Sequence, residues 1–191
     1  MHHLIPDFRL KSCGLVSEAF IEKGILSFKE AMHFVKQLPY HRNADKNDSL
    51  IVLKELCGTC STKHAVIKRL ADEQGVEHTE LVLGIFMMNG EFSSKVSDVL
   101  QRYHLEAIPE AHNYLKYRGH IIDLTFDSEE SEHFSDQLVS EIIISPDQIL
   151  DFKVHFHQEF LKKWLSEHEE IPYRYVELWN IREQCIQSLA S

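Results

Sequence analysis

Residues 111–126, AHNYLKYRGHIIDLTF, decide the fold. Two β-rich runs flank Arg118-Gly119, the clearest hairpin in the sequence. With a two-residue loop, Tyr117 pairs with His120 and Leu115 with Ile122, and His112 comes to face Thr125. Asp123 then lies diagonally beside His112 on the same face, at roughly 7–8 Å between Cα atoms, within reach of an imidazole–carboxylate hydrogen bond. Leu115, Tyr117, Ile122, Leu124 and Phe126 fall on the other face, an apolar set fit for a core. A three-residue loop would reverse this parity.

Outward from the hairpin, the chain alternates helical and extended patterns. Upstream, residues 80–88 (ELVLGIFMM) form a buried strand, Asn89-Gly90 a turn and residues 93–104 a short helix. Cys60 to Gln74 is a helix with an apolar stripe of Val66, Ile67, Leu70 and Ala71, ended by Gly75. Residues 50–56 fit a short strand or the lead-in to a helix equally well. Ser27 and Glu30 form a capping box for a helix through Phe28, Ala31, Met32 and Val35, which Pro39 stops near Leu38. A polar loop, PYHRNADKNDS, covers 39–49. Downstream, residues 127–136 form an acidic surface loop, 142–144 an edge strand, and 146–168 and 175–189 helices. The expectation is one α+β domain over residues 1–191, with a core at about 15–145 and a helical C-terminal appendage at about 146–191.

Composition narrows the function. The 191 residues carry 30 acidic and 20 basic side chains, a formal net charge of −10. That balance argues against nucleic acid or an anionic membrane as the main partner, since both select a clustered cationic face. No window approaches 18 uninterrupted apolar residues, and residues 1–8 hold no basic run before a hydrophobic stretch, so neither a membrane span nor a signal peptide is expected. Four cysteines (Cys13, Cys57, Cys60, Cys185) make no disulfide framework in a chain of this length. A reducing compartment, the cytoplasm, is the natural setting. No metal or cofactor is expected.

Cys60 opens its helix directly after Gly58-Thr59. Unpaired amides and the positive end of the helix dipole favour an anion there, which stabilises a thiolate. His112 on the hairpin then acts as the base and Asp123 as the acid that fixes its tautomer, the logic of a Cys-His-Asp triad. The Cys60 amide, or a group of the 38–43 loop (LPYHRN), is the candidate oxyanion donor. Tyr40 in that loop, Lys63, His64 and Glu110 border the triad as candidate binding residues. His64 reads equally as a polar residue lining the site and as a helix histidine satisfied by its own surroundings.

Gly58-Thr59-Cys60 opening a helix, then Ala111-His112, then Asp123-Leu124-Thr125, resembles the core of transglutaminase-like proteins. The fuller strings GTCSTKHAVIKRLA and IPEAHNYLKYRGHIIDLTF are similar to those of a microbial family with no settled function. The resemblance covers about residues 57–126. It implies a papain-like α+β fold, in which a helix bearing the cysteine packs on an antiparallel sheet bearing the histidine and aspartate. It further implies peptidase, amidase or acyl-transfer chemistry on a peptide or small-molecule substrate. The aromatic residue usual after the histidine pair is here Asn113.

Three other readings each use part of the same residues. Cys57-Gly58-Thr59-Cys60 is a CxxC motif and resembles thioredoxin, given a strand before it and Ile108-Pro109 after it. Cys57, Cys60, His64 and His112 suit a zinc ion in residue type, without the second tight ligand pair of a structural site. An interaction module without chemistry would use Phe152, Phe156, Phe160 and Trp164, spaced four apart, as a partner surface, though such a stripe more often makes the helix's own core contact.

Overall fold

The Arg118-Gly119 turn forms as its sequence demands. In the computed structural model, which describes residues 5–126 and 134–189, both turn residues have positive φ, 50° at Arg118 and 81° at Gly119. Two successive positive φ angles define the type I′ turn, whose twist matches that of the strands it joins. The register is Leu115 with Ile122, Lys116 with Ile121 and Tyr117 with His120, antiparallel. This is the pairing that a two-residue loop dictates.

Helices and a four-stranded sheet occur among the described residues. They run α1 (Leu15–Glu22), α2 (Phe28–Gln37), α3 (Ile51–Glu55), α4 (Cys60–Glu73), β1 (Thr79–Asn89), α5 (Ser94–Arg102), β2 (Ala107–Tyr117), β3 (His120–Ile122), β4 (Leu138–Ile144), a 3-10 turn (Pro146–Gln148), α6 (Asp151–Ser166) and α7 (Tyr175–Leu189). The four strands make one antiparallel sheet in the order β3-β2-β1-β4, and α4 packs against it. The fold is therefore α+β, with the cysteine-bearing helix on the sheet. By packing, the chain divides into two units: Met1–Leu83 with Asn113–Thr125 and Ile142–Leu150, and Gly84–His112 with Phe126–Glu141 and Asp151–Ser191.

In the first unit, α1, α2, α3 and the Pro146–Gln148 turn pack around α4. Residues 60–67 are all buried, so the first two turns of α4 have no solvent face. Ser61, Thr62, Lys63 and His64 lie in that stretch, and each has to find hydrogen-bond partners inside the protein. Gly58 lets the entering chain approach this helix, because a Cβ there would sit 2.9 Å from Thr62 Oγ1 and 3.0 Å from Lys63 Cγ. The α2 start is capped as its sequence implies: Glu30 Oε2 accepts from the Ser27 amide at 2.9 Å and Ser27 Oγ accepts from the Glu30 amide at 3.3 Å. In the second unit, α5 and α6 each pack on α7.

Several boundaries differ from the sequence reading. Of the two readings of residues 50–56, helix is the one found, over Ile51–Glu55. The first hairpin arm begins at Ala107, four residues early, while the second stops at Ile122. His112 therefore does not meet Thr125 across a ladder. Asp123 leaves the sheet because its own carboxylate accepts the Thr125 amide at 2.6 Å, a local turn that competes with strand pairing. The edge strand is longer, Leu138–Ile144. Residues 127–133 of the expected acidic loop, and residues 1–4, lie outside the described residues; Phe134, at the loop's end, is fully buried. The aromatic stripe of α6 is not its buried line either: His157 and Leu161 are, while Phe152 is 40% exposed.

The turn can be tested without disturbing the core, since a Cβ at Gly119 would meet nothing within 4 Å. Gly119→Ala should lower the unfolding free energy by about 1–2 kcal/mol from backbone conformation alone, and Arg118→Asn should raise it by a few tenths of a kcal/mol, because Asn tolerates this region better. Urea titration of both variants measures the two shifts.

Candidate functional site

Cys60 is the first residue of a 14-residue helix, and Thr59 before it is extended (φ −91°, ψ 174°). A side-chain network holds this helix entrance. Thr62 Oγ1 accepts from the Thr59 amide at 3.0 Å and donates to Asn43 Oδ1 at 2.7 Å. The Asn43 amide group donates to Glu55 Oε2 at 2.8 Å and to the Cys57 carbonyl at 3.0 Å. The loop bearing Tyr40 lies alongside: the Gly58 amide donates to the Pro39 carbonyl and the His41 amide to the Gly58 carbonyl, at 3.1 and 3.2 Å. Tyr40 itself is half-buried. The 38–43 loop and the Cys60 end of α4 are thus neighbours, as the oxyanion expectation requires. Asn43 is the residue of that loop that matters most to the geometry, and no spacing in the sequence singles it out.

Asn113 also has a role. Its Oδ1 accepts from Ser61 Oγ at 3.0 Å, and its Nδ2 donates to the Val82 carbonyl at 3.2 Å. A fully buried amide thereby ties the residue after Cys60 to β1 through β2. A buried polar side chain satisfied on both ends fixes the position of its neighbours more sharply than an apolar one.

His64 and Lys63 both bond to backbone groups. His64 is fully buried; its Nδ1 lies 2.7 Å from the Cys60 carbonyl and its Nε2 accepts from the Leu124 amide at 2.8 Å. A carbonyl only accepts and an amide only donates, so Nδ1 carries the proton and the ring is neutral. Its Nε2 is 4.0 Å from Asp123 Oδ1, too far and too proton-poor for an ion pair. The zinc reading loses His64, because neither ring nitrogen keeps a lone pair for a metal, and no cluster of three His, Cys, Asp or Glu set for a metal occurs among the described residues. Of the two expectations for His64, the satisfied helix histidine is the one found.

The Lys63 ammonium sits among three carbonyls, donating to Leu38 O at 2.5 Å and to Lys36 O and Leu124 O at 3.4 Å each. Burial pulls its pKa down to about 8; the charge of Asp123 opposes that shift and Lys36 adds to it. Lys63 therefore pins α2 and the 124 segment to α4 and is not a surface binding group.

Cys60, Asp123, Lys63 and His64 belong to the first unit, and Cys60 and Asp123 are 6% and 4% exposed. His112 belongs to the second, where it is 2% exposed. There its ring stacks on Phe126 at 4.2 Å between centroids, with Phe134 edge-on at 4.9 Å and Phe86 at 6.4 Å. This aromatic box fixes the plane of the imidazole. Phe134 and Phe86 were not among the residues the sequence singled out.

Glu110 is half of a buried ion pair of the second unit. Arg182 reaches it with both arms of its guanidinium, Nε to Oε2 at 2.6 Å and Nη2 to Oε1 at 2.5 Å. Burial raises the Glu110 carboxyl, but Arg182 and then His157 outweigh it, and the net pKa is lowered. His157 Nε2 donates to the Pro109 carbonyl at 2.9 Å, and burial keeps that imidazole below its usual pKa against the pull of Glu110. Cys185 on α7 is pushed up to about 11, by burial first and by Glu110 second, and is an unreactive thiol.

The CxxC motif stands between two helices, α3 and α4, with no strand leading into it as the thioredoxin arrangement needs. Neither Cys57 nor Cys60 is in a disulfide, and Cys57 is half-buried. No helix among the described residues is long and apolar enough to cross a membrane. Scans against protein-family models, curated proteins and solved structures each give no match to this chain.

Two measurements probe these buried charges. The unfolded chain binds the Lys63 proton up to its ordinary pKa of 10.5, and the folded chain releases it near 8. Between those values the unfolded state holds more protons, so stability rises with pH through that window and is penalised below it. Urea unfolding of wild type against Lys63→Met at pH 7 and pH 10 should show the wild type gaining on the order of a few kcal/mol relative to the variant at the higher pH. Separately, Arg182→Met strands the Glu110 carboxylate and should cost about 3–5 kcal/mol. Adding Glu110→Gln to that variant should recover part of the loss in the same titration.

Proposed function

We propose that the chain is a transglutaminase-like, thiol-dependent hydrolase or acyl transferase of the peptidase or amidase type, with Cys60 as nucleophile, His112 as base and Asp123 as the acid that orients it. The observation that carries this reading is the placement of Cys60: the first residue of a long helix that is buried against an antiparallel sheet, the end at which a thiolate is best stabilised. His112 on β2, its ring plane set by stacking on Phe126, supplies an imidazole of defined orientation. Asp123, buried and held just beyond β3, supplies the carboxylate.

In this mechanism His112 accepts the Cys60 proton and the sulfur adds to an acyl carbon. The tetrahedral oxyanion forms at the helix end, with the Cys60 amide as a donor to it. The imidazolium returns its proton to the departing amine or alcohol, which leaves a thioester. Water, or a second amine, then attacks the thioester with His112 again as base, and the thiol is regenerated. No cofactor takes part.

Alkylation of Cys60 by iodoacetamide, followed by mass spectrometry as a function of pH, tests the assignment. The exposed Cys13 is replaced by Ser to remove its background, and Cys185 serves as the slow internal reference. His112→Ala and Asp123→Asn should each slow Cys60 labelling near neutral pH by about tenfold or more, since both raise the thiol pKa, while Cys57→Ser should leave it within about twofold. Unchanged labelling in His112→Ala would remove the triad. Loss of both thiols together as a disulfide that reduces other disulfides would establish the CxxC reading in its place.

A further inference from the structure

We propose that His64 is the positioning residue for Asp123, acting through the Leu124 amide, with Lys63 holding the other side of the same residue; this rests on the assignment of Asp123 to the catalytic site above. The need for such a residue arises from the sheet. β3 ends at Ile122, so ladder pairing does not extend to Asp123 and cannot place its carboxylate. Residues 123–125 are instead tied one by one. The Thr125 amide goes to Asp123 Oδ1 at 2.6 Å, the Leu124 amide to His64 Nε2 at 2.8 Å, and the Leu124 carbonyl accepts from Lys63 Nζ at 3.4 Å. The first of these bonds is local and turns with the segment. The other two run to α4 and hold the segment against that helix.

His64 suits this task only in one protonation state. With Nδ1–H given to the Cys60 carbonyl, Nε2 is left as an acceptor, which the Leu124 amide occupies. A second proton on the ring would turn Nε2 into a donor, break the Leu124 bond and set a cation 4.0 Å from Asp123 Oδ1. The carboxylate would then be drawn toward His64. The neutral ring avoids this and holds Asp123 without competing for its charge. Because the same imidazole bonds the Cys60 peptide, one side chain couples the backbone of the nucleophile to the backbone beside the acid. The charged and titratable groups that act on the Lys63 ammonium, which bonds the Leu124 carbonyl, are Asp123, Lys36, Cys57 and Cys60.

The experiment uses the full chain with Cys13→Ser and two substitutions that divide the imidazole's functions. His64→Gln places an amide oxygen near the Nε2 position, where it can still accept from Leu124. His64→Asn reaches only as far as the Nδ1 position, so it can bond the Cys60 carbonyl and not Leu124. The readout is the pH midpoint of Cys60 alkylation, with thermal midpoints measured alongside. His64→Gln is expected to keep the wild-type midpoint, and His64→Asn to move it at least halfway toward that of Asp123→Asn. Nitrogen-15 NMR of the wild-type ring should show a neutral imidazole protonated at Nδ1. An Asp123→Asn shift that His64→Asn fails to share overturns the positioning role alone. If Asp123→Asn itself matches wild type, the catalytic assignment of Asp123 falls, and the role of His64 with it. Should His64→Asn not fold, the wild-type NMR measurement decides: a ring protonated at Nε2 overturns the proposal.

Discussion

Leu124 has one backbone donor and one backbone acceptor, and two consecutive residues of α4 take them both: His64 the amide, Lys63 the carbonyl. That pair of hydrogen bonds between a helix and a segment 60 residues later determines much of the first unit. It is required because the helix is buried on every side over its first two turns. Polar side chains there have no water to turn to, and an unsatisfied one would cost about 1–3 kcal/mol. The chain meets the requirement with backbone groups that are themselves in need of partners, since the sheet ends before it reaches them. Each deficit answers the other. Asn113, Asn43 and Thr62 repeat the pattern at smaller scale around the same helix end.

The second unit solves a different problem with a charge. Glu110 lies on a buried stretch of β2, and Arg182 meets it with a two-pronged contact while its guanidinium rests 5.2 Å from the Trp179 ring centre. Such a pair fixes orientation more than it adds stability, because desolvation of both partners offsets much of their attraction. Its value lies in angular definition. A planar guanidinium forked onto a carboxylate sets how α7 is turned about its own axis relative to β2, which apolar contacts between helix and strand do less sharply.

What the sequence made legible was local. The hairpin turn, the α2 cap, the end of α4 at Gly75 and the placement of Cys60 at a helix start all depend on residues within a few positions of one another, where backbone angle and capping chemistry decide. Asp123 was legible as a residue and not as a geometry, because its own side chain ended the strand that parity arguments had extended through it. The stripe Phe152, Phe156, Phe160 and Trp164 misled for a geometric reason. Residues four apart drift by about 40° per step around a helix, so over three steps the line winds off any one face. His157 and Leu161, offset from it, take the buried line. The ion pair of Glu110 was not legible, because its partner lies 72 residues away. The tasks of His64 and Lys63 were unreadable for the same reason.

The span between His64 and Leu124 also bears on the order in which this protein assembles. The β2–β3 hairpin closes over two residues and α4 forms within its own 14, so both belong to the fast events of folding, on the order of microseconds or less. The bonds that join them close a loop of about 60 residues and carry the entropy cost of doing so. The acid of the proposed triad is therefore fixed relative to the nucleophile only when long-range docking is complete. A chain with its helix and hairpin in place but this contact still open would have native secondary structure and, on the proposed assignment, a site not yet assembled.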